Sequence, residues 1–273
     1  MRRAMNIRPA GGARVLLALL PFLLLALVYV FGSAERRAAN PNDKLLPPIS
    51  EMADTAARMA TEPDRRSGEI VLVSDTTASL QRLALGLGLA TLIGLTLGVA
   101  IGILPVATAA GGPLVAVISM IPPMAILPIL FIVFGLGELS KVVLIVIGVA
   151  PPIVRDIAMT VQAIPVEQLV KAQTLGASTW TTVLRVALPQ ALPRLIETVR
   201  LQIGPAFLFL IAAEAIAADS GLGYRIFLVR RYLAMDVILP YVAWITLLAF
   251  LMDFALAKLA RGAFPWAYAG ERR

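Results

Sequence analysis

Apolar residues in this chain fall in long blocks, not in alternation. Six blocks approach or reach the ~20 residues that a helix needs to cross a bilayer: Val15–Gly32, Leu83–Ile103, Leu114–Phe134, Val142–Val154, Leu201–Ala218 and Val237–Leu256. The fourth is short and is expected to extend at both ends. None shows the apolar/polar alternation of a lipid-facing strand. The pattern predicts an all-α integral membrane protein of six transmembrane helices. Residues 1–32 would hold an N-terminal segment and the first span, 33–82 an external polar region, and 83–273 a five-helix core with a polar loop at 164–190.

Within 33–82, Asn40-Pro41-Asn42-Asp43 and Pro47-Pro48 are turn signals. Ser50 is placed to cap a helix that carries Met52, Ala53, Ala56, Met59 and Ala60 on one face, and Pro63 ends it. Such a helix either packs on the membrane surface and the spans or offers a docking surface to an external partner, and the two roles are compatible. In the second block, Gly94-x3-Gly98-x3-Gly102, with Gly86 and Gly88 before it, forms a small-residue ladder that lets another helix approach closely. In the third, Ile121-Pro122-Pro123-Met124 and Pro128 interrupt the apolar run. Proline removes a donor and breaks helix geometry, and broken helix at membrane depth is tolerated where it lines a cavity or packs in protein. Ser119, Pro122, Pro123, Met124, Pro128 and the intramembrane acid Glu214 are therefore candidate pathway-lining residues. For Glu214 a structural pairing or capping role is favoured over contact with a solute, and Asp253 is expected to pair locally with Lys258.

Composition supports the membrane reading. Hydrophobic residues make up 59% and charged residues 15% of 273, with a mean hydropathy of +0.85. Cysteine and histidine are absent, which excludes disulfides, thiolate metal sites and Ser-His-Asp or Cys-His nucleophiles. No metal site and no catalytic residue is expected. The net charge of +7 is scattered between apolar blocks, which fits membrane-flanking positions and no nucleic-acid partner. Lys and Arg divide almost evenly between the two sides, so the cluster Arg2, Arg3, Arg8 and Arg14 is the best-placed signal, and it puts the N-terminus inside. A secretory signal cleaved near Gly32-Ser33-Ala34 is the rival, but the apolar stretch is too long for a usual signal core and favours a retained anchor. Gly221-Leu222-Gly223 after Ser220 reads as a tight turn, not a dinucleotide fingerprint. No Gly-x4-Gly-Lys-Ser/Thr occurs, so the chain has no P-loop for ATP.

The polar loop has helical spacing on both sides of Gly176: Leu169, Ala172 and Leu175 before it, Trp180, Val183, Leu184 and Ala187 after it. It predicts two short amphipathic helices joined at a glycine. Gly176, nine residues, then Val186-Ala187-Leu188-Pro189 resembles the cytoplasmic loop motif of binding-protein-dependent ABC importer permeases. That motif runs Glu-Ala-Ala, three residues, Gly, nine residues, Ile-x-Leu-Pro. Val170-Lys171-Ala172 stands where the family has its acid and two alanines. Leu45-Leu46-Pro47-Pro48-Ile49-Ser50-Glu51, Ala78-Ser79-Leu80-Gln81-Arg82, the Ile121–Pro128 run followed by Phe134-Gly135-Leu136-Gly137-Glu138-Leu139-Ser140-Lys141, and Ala212-Ala213-Glu214 with Ser220-Gly221-Leu222-Gly223-Tyr224 resemble the nitrate/sulfonate/taurine group.

The resemblance implies a type I importer permease fold in the bacterial inner membrane, with both termini cytoplasmic and lipid around the spans. It further implies a second permease copy, expected as a homodimer, two ATPase subunits that carry ATP and Mg, and a periplasmic binding protein. This chain would hold no cofactor and do no hydrolysis. Ala172, Leu175, Gly176, Ala177, Ser178, Trp180, Leu184, Leu188 and Pro189 would form the ATPase-coupling loop. The alternative, an ion-coupled secondary transporter, needs a relay of intramembrane charges, for which Glu214 and Asp253 are too few. A membrane-embedded enzyme would need clustered Asp, His or Cys.

Overall fold

The computed structural model describes residues 10–41, 43–64 and 68–272, with side chains described up to residue 269. Arg2, Arg3 and Arg8 of the N-terminal cluster, and Asn42 of the first turn signal, lie outside the described residues. Those that are described are helical apart from turns and an isolated bridge between Pro63 and Ile70.

Residues up to Glu62 and the segment 229–240 form one compact unit. Its first helix, α1 (Gly11–Ala39), buries only Ser33 and turns Leu and Phe side chains outward on all sides. A helix that is apolar all round suits acyl chains, not water. Its last turns are tied to the following segment: Tyr29 Oη donates to the Pro47 carbonyl at 2.6 Å and Ser33 Oγ to that of Leu46 at 2.8 Å. Arg36 pairs with Asp43, and that hydrogen bond, joined by one from the Leu45 N–H, holds the Asp43 carboxyl below its ordinary range.

Helix α2 (Ile49–Thr61) begins one residue ahead of Ser50, so the N-cap is Pro48 and the expected serine cap does not form. Proline before the helix fixes an extended backbone there, and the chain turns helical at once. Thr55 is the buried residue of α2 and donates to Asp236 at 3.2 Å, while Arg58 donates to Thr55 at 3.0 Å.

The second unit, 63–228 with 241–273, holds the core. Helix α3 (Val71–Ile103) starts well before the apolar block at Leu83, and α6 (Glu138–Gln162) overruns the short fourth block at both ends. The two run parallel. A Cβ built at Gly86, Gly94, Gly98 or Gly102 would come within 2.3 to 2.7 Å of Ile145, Ile153, Ile157 or Val161 respectively. The sequence offset is the same at each contact, so glycine grooves on α3 receive β-branched ridges of α6 in constant register. Fully buried Ala90 and Val149 stand at that same offset. Gly88, off this face, meets open space. Between helices in lipid the attraction comes from such close packing, since tails are as apolar as the side chains. Gly148 on the other side of α6 takes the Phe209 ring of α9 (Leu188–Ala217).

The third block is broken into a bent pair of helices rather than one straight helix. α4 (Pro105–Ile118) and α5 (Pro123–Phe134) meet at 79° across a short break. Pro122 and Pro123 have no N–H to continue the ladder, and each pushes the residue before it out of helical backbone. Five described helices are long and apolar enough to cross a membrane, six if the bent pair counts as one.

The loop differs from expectation in its second half. α7 (Val166–Thr174) is a separate short helix, but α8 (Thr179–Thr182) passes through a π turn at Val183–Ala187 directly into α9, making one helix of 39 residues from Thr179 to Ala217. Pro189 cannot donate to the carbonyl four residues back. The wider turn, with Leu188 N–H on the Val183 carbonyl, absorbs that missing donor without a stop. A short α10 (Leu222–Arg230), then α11 (Met235–Ala263) and a 3-10 segment at Pro265–Arg272 complete the chain.

Candidate functional site

Three places in the second unit carry polar chemistry. The first is a buried knot where α3 and α6 begin and α9 ends. Asp75, Ser79 and Arg82 lie along one face of α3, spaced i, i+4, i+7. Glu214, fully buried, accepts from Ser79 Oγ at 2.7 and 3.0 Å, from Arg82 Nη1 at 2.7 Å and from the Gly223 N–H at 2.9 Å. Arg82 also donates to the Ser220 carbonyl at 2.7 Å and to Glu138 at 2.8 Å, and Lys141 reaches the same Glu138 at 2.8 Å. Asp75 accepts from the Gly221 N–H at 3.0 Å, Arg225 at 2.8 Å and Tyr241 Oη at 2.9 Å, while Ser79 Oγ accepts the Leu222 N–H at 2.8 Å.

The turn Ser220–Gly223 thus hangs from α3 by its backbone donors. Gly221 has φ 130°, and a Cβ there would lie 2.6 Å from the Glu214 carboxylate, so only glycine fits. Buried charges survive when every one is paired and hydrogen-bonded, and no buried side-chain donor or acceptor among the described residues lacks a partner. Glu214 is therefore corrected as a pathway candidate: its oxygens are committed and it presents no surface to a solute.

The second place is the bend. Ser119, with its hydroxyl on the Val115 carbonyl at 2.6 Å, lies with Pro122, Pro123 and Met124 at the α4–α5 break; Pro128 lies on α5. Pro122, Met124 and Pro128 are exposed, Ser119 and Pro123 half-buried. Asp253 is also corrected: it pairs with Arg200 of α9 at 2.9 Å rather than with Lys258, and Glu197 completes that group at 2.7 Å. A cross-helix guanidinium that reaches both carboxylate oxygens outcompetes a lysine further along the same helix.

The third place is the loop. Gly176 has φ 82°, its N–H bonds the Gln173 carbonyl at 2.9 Å, and the Ala177 N–H bonds that of Ala172 at 3.0 Å. This is the glycine-terminated end of a helix, in which the left-handed residue lets two orphan carbonyls be satisfied. Ser178 then caps the next helix by accepting the Thr181 N–H at 3.2 Å. Ala172 and Ala177 are half-buried, as are Leu188 and Pro189. Leu175, Trp180 and Leu184 stand 79%, 69% and 44% exposed, an apolar face held on a fixed turn.

Sequence reasoning missed the knot partners Asp75, Arg225 and Tyr241. The available signal was the polar i, i+4, i+7 stripe ahead of an apolar block, which marks a helix that buries charge at its start.

Residues 83–264 match the family described as binding-protein-dependent transport system inner membrane component. The chain is 36% identical over 189 residues, 69% of each chain, to the taurine transport system permease protein TauC of Escherichia coli K12. It is 31% identical over 186 residues, 67% of each, to the nitrate import permease protein NrtB of Synechococcus elongatus. With the putative aliphatic sulfonates transport permease protein SsuC of Bacillus subtilis it shares 27% over 200 residues, 73% of this chain and 72% of that one. Its fold matches a chain of the inward-facing MetNI methionine ABC transporter with a TM-score of 0.61 at 22% identity, covering 70% of this chain and 95% of that one. The blocks, the loop and these likenesses agree: this multi-pass chain belongs to the binding-protein-dependent transport system inner membrane components, the permease subunits of ABC importers.

Proposed function

We propose that two copies of this chain form the transmembrane pathway of an importer for a small oxoanionic solute, driven by ATPase subunits docked on loop 164–190. The observation that carries the coupling assignment is the exposed Leu175–Trp180–Leu184 face. It sits on a glycine turn and continues, through one unbroken helix, into the core. An apolar face on a rigid element at the end of a membrane helix suits a protein groove better than solvent.

Two ATPase copies, holding ATP and Mg, would close on nucleotide and tilt the spans, a rocking transition between two arrangements. With the N-terminus inside, this loop and the C-terminus are cytoplasmic, and the knot around Glu214 lies at the external end, where a periplasmic binding protein would deliver its solute. The substrate class rests on the relatives: taurine, aliphatic sulfonates and nitrate share a compact oxoanion group. Purification of the tagged chain in mild detergent should bring down a P-loop ATPase in equal amount with a binding protein of the same system. A chain that purifies alone and transports alone in liposomes refutes the proposal in favour of an ion-coupled carrier.

A further inference from the structure

The charged residues of α6 are Glu138, Lys141, Arg155 and Asp156. Glu138 and Lys141 belong to the knot, and Asp156 is held by Arg194 at 2.7 Å and by Thr198. Arg155 alone has no ion pair or hydrogen bond among the described residues. It does not share Asp156's partner because neighbouring positions on a helix point roughly 100° apart. Asp156 faces α9, and Arg155, itself exposed, lines a cleft of about 130 Å³ between α3, α4 and α6.

Thr108, Gly112, Val115, Met159 and Gln162 line this cleft with Arg155. Of its other polar side chains, Thr108 donates its Oγ1 to the Ile101 and Leu104 carbonyls, and Gln162 Nε2 reaches the Ile101 carbonyl at 3.5 Å. Gly112 opens its wall, with nothing within 4 Å of where a Cβ would stand. A fork of five donors with a permanent charge therefore stands exposed on the wall of a mostly apolar cleft, with no acid to neutralise it. A guanidinium in that position has its donors available to an anion.

We infer that the Arg155 cleft is an oxoanion subsite that takes the sulfonate or nitrate-like group of a solute on its way through the permease. What fills it rests on the importer reading; that it gathers anions does not. The same chemistry could be met by a lipid phosphate, which the test separates.

The chain has no cysteine, so Gly112→Cys supplies a single thiol in open space beside Arg155. In detergent-purified protein its reaction rates with 2-sulfonatoethyl methanethiosulfonate and with the trimethylammonium analogue are compared. The anionic reagent should gain about tenfold over the cationic one relative to G112C/R155Q, the size expected of one unit charge several ångströms away at intermediate dielectric. G112C/R155K should keep most of that preference. Methanesulfonate or nitrate should slow the labelling beyond chloride at equal ionic strength, and only where position 155 is charged. An unchanged reagent ratio in R155Q, a thiol inert to both reagents, or protection by phosphatidylglycerol but not by the soluble anions would each overturn the assignment. Failure of the importer reading would show instead in the pull-down and leave these ratios as they are.

Discussion

Replacing Glu214 by alanine should be the most damaging single change in the knot. Its loss leaves the Gly223 N–H without an acceptor and removes one of two carboxylates facing the guanidinium of Arg82. Removing one member of a buried pair costs about 3–5 kcal/mol, and a stranded buried N–H adds about 1–3 kcal/mol. Arg82 keeps Glu138 and the Ser220 carbonyl, so the low end, about 4 kcal/mol in all, is appropriate.

Asp253 is the control. Its side chain is 42% exposed, and Arg200 keeps Glu197 when it is removed, so water screens the pair and Asp253→Ala should cost under about 1 kcal/mol. At roughly 2–4 °C per kcal/mol for a chain of this size, E214A should unfold about 8–16 °C below the parent, against no more than about 4 °C for D253A. Thermal unfolding of the detergent-purified permease, followed by tryptophan fluorescence, reads both. Equal shifts for the two variants, or none for E214A, would refute the view that buried ion pairing holds the Ser220–Gly223 turn.

Gly94→Ala should lower the same midpoint, because its methyl would lie 2.3 Å from Ile153, and Ile153→Ala in that background should recover much of the loss. Gly176→Val forces a side chain into left-handed backbone at a local cost of about 1–2 kcal/mol; the protein should still insert, but ATPase co-purification should fall, and normal capture would refute the coupling assignment. Trp180→Ala with Leu184→Ala removes exposed side chains, so the midpoint should move by less than about 0.5 kcal/mol while ATPase capture is lost; retained capture places the motor elsewhere. The Asp43 carboxyl is held below its ordinary value in the folded chain. Its contribution is therefore complete above the unfolded carboxyl range and lost as pH falls through the folded value. Proteolysis near Asn40–Leu46 should rise in acid, and Asp43→Asn should abolish that dependence.

The spans were legible because lipid-facing helices need apolar blocks of a set length, and nothing local competes with that demand. The Gly176 turn was legible for a similar reason: a left-handed helix end is decided by the residue itself. The start of α3 was not. Asp75, Ser79 and Arg82 read as loop until their partners arrive from Glu138, Glu214, Ser220–Arg225 and Tyr241, all remote in sequence. Asp253 was misassigned to Lys258 for the same reason, since a nearby base is visible in sequence and the facing Arg200 is not. The continuation of α8 into α9 was hidden by Pro189 and Pro193, which usually stop a helix and here are absorbed by a π turn and by positions inside the span.

The 39-residue helix from Thr179 to Ala217 has a mechanical consequence. At 1.5 Å per residue it is about 58 Å long, more than the ~40–45 Å of a whole bilayer. Trp180 near one end and Glu214 near the other are therefore carried on the same lever. A tilt of about 5° about its middle sweeps each tip through roughly 2.5 Å in opposite senses, close to the length of a hydrogen bond. Tilted as one rigid body, this helix would carry the acid that anchors the far turn along with the near tip, by a stroke of the right size to load or slacken the knot.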